Sequence, residues 1–164
     1  MSYTGLTESR RAQITAAIRT ETGIDEAMID TVVRNFYGRV RADASLGPIF
    51  ESRIKDWEPH LQQMCAFWSS VALMTGAYHG QPMQKHLPLP VDARHFDRWL
   101  GLFEATVRDL CPARAADHFM ERAQRIAESL ELGIAGRQGV MLAKGERFRN
   151  ADLNDDVAVL PAAS

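Results

Sequence analysis

Apolar residues recur at helical spacing along most of the chain. Ile29, Val32, Val33, Phe36, Tyr37 and Val40 fall at offsets of 0, 3, 4, 7, 8 and 11, a single stripe down one helix face. Asp25 stands just before that stripe, where a carboxylate accepts from the free N–H groups of a first turn. Upstream, residues from Thr7 to about Thr20 read as a helix with Ile14 and Ile18 one turn apart, broken by Gly23. Gly47-Pro48 turns the chain ahead of Phe50. A further helix is predicted from Asp56, with Pro59 in its first turn, where a missing N–H costs little. Two stripes share it: Trp57, Leu61, Met64, Trp68 and Val71, and beside them His60, Met64, Phe67, Val71 and Met74. Its apolar face is therefore broad, begins at a histidine and is expected to stop at Gly76.

Residues 76–92 carry Gly76, Gly80, Pro82, Pro88 and Pro90, leaving room only for a short turn of helix around Met83 to His86. Asp92 caps the next predicted helix, which bears Phe96, Trp99, Leu100, Phe103, Val107 and Leu110. Pro112 opens the last one, with Ala116, Phe119, Met120, Ala123, Ile126, Ala127 and Leu130, and Gly133 and Gly136 are expected to end it. No segment alternates at the strand period, so the fold class is all-α. Beyond about residue 136 the pattern vanishes, and the chain divides into a packed domain over 1–135 and a tail over 136–164. The tail is expected to be disordered, because it offers too little apolar surface to offset the entropy of ordering it. A short apolar run, Val157 to Leu160, is its one candidate for docking.

Composition narrows the function classes. The chain has 164 residues, 46% apolar and 24% charged, with a net charge of -2. That describes one globular domain with no electrostatic pull toward nucleic acid or an anionic membrane. No run approaches the roughly 18 apolar residues of a membrane span, and Met1 to Gly5 does not open a signal peptide. Two Cys, at 65 and 111, form no CxxC pattern and suit a reducing compartment, so a cytoplasmic protein is expected.

Several chemistries lack their residues. There is no GxSxG, P-loop, GxGxxG or Glu-x-x-His, and Cys65 near His60 reads better as an inert packed thiol than as a nucleophile. The five His, at 60, 79, 86, 95 and 118, are too scattered for a structural zinc site. His79, His95 and His118 read as surface or capping residues. What remains is His60 at the head of an apolar stripe, His86 after a Gly/Pro-rich loop, and large aromatics on three helices. Together they favour an apolar pocket with an imidazole able to bind a metal. A flat intervening cofactor explains the many inward aromatics. Haem is such a cofactor, and without a C-x-x-C-H motif it would be non-covalent haem b.

At this point the chain resembles the group III truncated haemoglobins, short globins built as a two-over-two helical sandwich. The matching stretches are Phe36-Tyr37, Leu46 to Phe50, Asp56-Trp57 with His60, Phe67-Trp68, Gly76 to Pro82 leading to His86-Leu87, and His95 to Leu100. They span roughly residues 25–132. The resemblance implies His86 as the axial iron ligand and His60, Tyr37 and Trp99 as distal residues. It also implies Phe36, Phe50, Met64, Phe67 and Trp68 as pocket lining, and binding of O2, CO, NO or cyanide. A Tyr hydroxyl and a Trp indole N–H are donors on apolar bodies, suited to a ligand carrying partial negative charge in a dry pocket. A buried Tyr or Trp also commonly bonds backbone, and His60 can face inward or swing to solvent. Arg53 and Lys85, with Lys55 and Arg94, are candidates for the haem propionates. Met64 and His60 are candidate sixth ligands.

The leading expectation is a haem protein for O2 or another diatomic ligand, working as a monomer or weak dimer with a reductase of unknown identity. A haem oxidoreductase for nitric oxide or peroxide is the enzymatic alternative. A cofactor-free helical interaction module is the third.

Overall fold

The computed structural model describes residues 3–151 and residue 153, with side chains from residue 8 onward. Seven helices follow in order, with no strand among the described residues: α1 (Tyr3–Thr22), α2 (Glu26–Ala42), α3 (Gly47–Arg53), α4 (Trp57–Leu73), α5 (Pro82–His86), α6 (Ala93–Leu110) and α7 (Ala113–Arg137). α2 and α4 form one layer, and α6 and α7 form the other, with α2 lying against both α4 and α6. This is the layering that the resemblance implies.

The caps explain where the elements start. Asp25 accepts from the Met28 N–H at 2.8 Å and so sets the first turn of α2. Asp92 does the same for α6 through the Arg94 N–H at 3.0 Å, and His95 reaches back to the Asp92 N–H. Asp56 holds the N-cap position of α4, but its side chain makes no capping bond. Met74, in the left-handed region at φ 61°, ends that helix two residues before the expected Gly76. α1 turns a different edge inward from the one its apolar residues suggest. Ile14 is exposed, whereas Thr15 is buried and donates to the Leu73 carbonyl at 2.6 Å.

Two apolar clusters fill the interior. The larger joins the α2 stripe to Trp68, Phe103, Val107 and Phe119. Its aromatics interlock, with Trp68 stacked on Phe103 and Trp99 stacked on the same ring from further along α6. The smaller cluster is made of Val91, Phe96, Ala127, Leu130, Ile134, Ala135 and Phe148.

At the C-terminal end the last helix runs past its glycines. α7 runs through Gly133 and Gly136 to Arg137. A Cβ at Gly133 would strike the Met83 sulfur, so this glycine lets α5 approach α7 rather than ending the helix. Residues 138–151 are not a patternless tail either. Phe148 is 2% exposed, and Arg147 bonds Glu131 at 2.8 Å. One aromatic and one ion pair onto the buried Glu131 carboxylate hold the segment down, and neither produces a periodic signal. The run Val157 to Leu160 lies outside the described residues.

Candidate functional site

A cleft opens between the two layers. Its inner chamber is lined almost wholly by apolar side chains, as small-molecule pockets commonly are. α2 contributes Tyr37, α3 contributes Phe50, and α4 contributes Met64, Phe67 and Trp68. α5 brings His86, α6 brings His95, Phe96 and Trp99, and α7 brings Ile126, Ala127 and Leu130. An outer chamber continues from it across Tyr37, Phe50, Met64 and His86 to a mouth lined by His60, Arg53, Lys55 and Lys85. The floor is apolar and the rim is cationic.

His86 sits at the end of the five-residue α5, packed between the chambers. Its Nδ1 lies 2.6 Å from the Pro82 carbonyl one turn earlier. A carbonyl only accepts, so Nδ1 carries the proton and Nε2 keeps its lone pair. Burial holds the ring below the usual imidazole pKa, which keeps it neutral at pH 7. A neutral imidazole held by a partner on its other nitrogen is the form that ligates a metal.

On the α4 side, His60 is also held below the usual imidazole value, first by burial and then by the charges of Lys85 and His86. Its Nε2 is buried with no hydrogen-bond partner. A buried polar atom left in that state is costly unless a bound group meets it. The ring stands edge-on to Tyr37, with centroids 5.1 Å apart, and edge-on to Trp57 at 5.7 Å. Burial pushes the Tyr37 phenol far above its ordinary range, so it remains an O–H donor. No group among the described residues accepts from the Tyr37 hydroxyl or the Trp99 indole N–H. Neither is spent on backbone.

Most expected residues therefore converge on the cleft: His86, His60, Tyr37, Trp99, Phe50, Met64, Phe67 and Trp68, with Arg53 and Lys85 at the mouth. Phe36 does not line it. It lies one layer back, edge-on to Tyr37, Trp99 and Phe103 at 5.1, 5.5 and 5.1 Å. Arg94 is tied to the buried Asp92 at 2.8 Å instead of facing the rim. His95 caps α6 as expected, yet it is 4% exposed and also forms part of the inner wall, a position the capping pattern alone does not reveal. His118 is bound to the Ala72 carbonyl at 2.8 Å. Among the described residues no group of three His, Cys, Asp or Glu is placed to hold a metal.

A family model described as bacterial-like globin matches residues 20–131. The chain belongs to the bacterial-like globin family. This globin is 34% identical over 113 residues to the group 3 truncated hemoglobin ctb of Campylobacter jejuni, covering 66% of the chain and 89% of that relative. The crystal structure of a group III truncated hemoglobin from the same organism superposes on the globin with a TM-score of 0.62, at 34% identity, covering 66% of this chain and 89% of that one. It is also 29% identical over 97 residues to the group 2 truncated hemoglobin YjbI of Bacillus subtilis, covering 58% of the globin and 67% of the relative. The resemblance to group III truncated haemoglobins thus holds at the level of family and fold. Membership makes the chain a haem-binding globin, a class that binds diatomic gas ligands. No helix among the described residues is long and apolar enough to cross a membrane.

Proposed function

We propose that the cleft holds haem b through His86 and that the protein binds O2 or another small diatomic molecule there. The observation that carries this reading is the His86 tautomer. With Nδ1 donating to Pro82, the Nε2 lone pair is left for the cleft, across which stand Tyr37, His60 and Trp99. When bound, the haem would supply an iron able to take an imidazole and a small diatomic ligand.

The chain's own residues do the rest. Phe50, Met64, Phe67 and Trp68 exclude water from the cleft and offer the porphyrin an apolar bed. Arg53 and Lys85, with Lys55 beside them, offer the propionates positive charge at the mouth. Tyr37 and Trp99 hold unspent N–H and O–H donors where a ligand with negative partial charge would sit, and low polarity strengthens those bonds. His60 stands at the boundary of cleft and mouth, placed to admit or retain a ligand. The proximal partner of His86 is a neutral carbonyl and not a carboxylate, which weighs against peroxide chemistry, since a carboxylate would raise ligand basicity.

An absorption spectrum tests the proposal. Purified protein titrated with haem should show a Soret band with an axial-imidazole signature, and His86→Ala should fail to hold haem stably. A wild-type protein that stays colourless would sink the haem reading. A His86→Ala variant with an unaltered spectrum would sink the ligand assignment.

A further inference from the structure

The segment 138–151 lies beyond the residues the family model matches, yet it backs one side of the cleft. Phe148 packs with Val91, Phe96 and Leu130, and these three are inner-chamber lining. The phenyl ring is thus the second layer of the cofactor wall. Its backbone is fastened at both ends of that wall. Phe148 accepts from the Ala93 N–H at 2.9 Å and donates its own N–H to Glu131 at 3.2 Å. Asn150 donates its N–H to Asp92 at 3.0 Å, and Asp92 is fully buried at the α6 cap. Arg147 spans the two helices, reaching Glu131 on α7 and Asp97 on α6, both at 2.8 Å.

These bonds bear on the wall itself. Asp92 gives its N–H to His95 Nδ1 at 3.1 Å, which leaves His95 as the Nε2–H tautomer within the inner wall. Pulling the segment away would remove the backing of Val91, Phe96 and Leu130 and leave Glu131 and Asp92 buried with fewer partners. Buried carboxylates in that condition are costly, so the wall would open to water instead of standing intact.

We propose that residues 138–151 form a clamp that retains the haem, with Phe148 as its wedge and Arg147 as its latch. This rests on the haem reading of the cleft. In the closed state α6 and α7 cannot part at the inner end, and haem leaves slowly. In the open state that end is solvated, and haem loss accelerates.

The test is the rate at which the ferric holo-protein surrenders haem to excess apo-globin. Phe148→Ala and a chain ending at Arg137 should each lose haem about tenfold faster or more, with the axial-imidazole spectrum intact before transfer. Arg147→Gln, which leaves the wedge in place, should give a smaller increase in the same direction and keeps the idea open to test if the shortened chain does not fold. A chain ending at Leu153 should match wild type. Ile29→Ala, in the larger cluster away from the cleft, controls for lost stability. If Phe148→Ala and Arg147→Gln release haem no faster than wild type, or no faster than Ile29→Ala at equal overall stability, the segment is ordinary packing and the clamp is overturned. A wild-type protein with no Soret band fails the haem reading instead, and the two failures are read separately.

Discussion

Tyr37 and His86 both line the cleft and bring it opposite assets, one an unspent O–H and the other an unspent lone pair. A hydrogen bond to a partly charged ligand in a dry pocket contributes about 1.5–3 kcal/mol. Tyr37→Phe should therefore speed O2 dissociation by about tenfold or more while leaving the axial spectrum unchanged. Stopped-flow release of O2 from the ferrous protein measures it, and an unaltered rate would remove Tyr37 from the donor role. His86 stands out in the sequence after a Gly/Pro-rich loop, whereas Tyr37 counts there only as a member of an apolar stripe, and its distal place is what the family resemblance implies. The Pro82 carbonyl that fixes His86 is not legible, since every residue carries a carbonyl and only the turn of α5 aims this one. Phe36 stands deeper than its stripe suggests for a related reason. It lies on the same stripe as Tyr37, and helical spacing gives the face but not the depth at which a side chain stops.

The long helices follow from their stripes and caps, so α2, α4, α6 and most of α7 are readable as elements. Their ends are less so, because a glycine is ambiguous between stopping a helix and admitting a neighbour. Gly133 and Gly101 make the contrast testable. Gly101 lies mid-helix on the exposed face of α6 with nothing near a built Cβ, so Gly101→Ala should stabilise the protein by about 0.5–1 kcal/mol. At Gly133 the added methyl would meet the Met83 sulfur, the free end of a flexible side chain, so Gly133→Ala should stabilise less than Gly101→Ala, by the cost of re-aiming that side chain. Urea midpoints of the two variants, with haem affinity for the second, check the pair. A Gly133→Ala variant as stable as Gly101→Ala would show that the Met83 side chain swings aside at no cost.

For the molecule as a whole, the buried imidazoles set an acid limit. Burial holds His60, His86, His95 and His118 below the ordinary value of 6.5. The unfolded chain then takes up protons before the folded one as pH falls. Their contribution to stability is present above about pH 6.5 and is lost below it, toward the lowered folded values. Asp43 and Asp92, held below the usual carboxylate pKa of 3.8 against the opposing effect of burial by bonds that include Arg98 and Arg94, act only in a more acid window. Without haem, the urea midpoint should fall between about pH 7.5 and about pH 5.5, and a flat profile would show that these rings protonate without unfolding the chain. The two-layer architecture itself was readable from the order of the helices. The covering of its inner end by residues 138–151 was not, because a lone Phe and a lone Arg make no pattern. Phe36 carries a different kind of consequence. Wedged edge-on against the rings of both Tyr37 and Trp99, it transmits any change of its own size to both. Across the descendants of this chain, positions 36, 37 and 99 are therefore one unit of selection, expected to drift together or not at all.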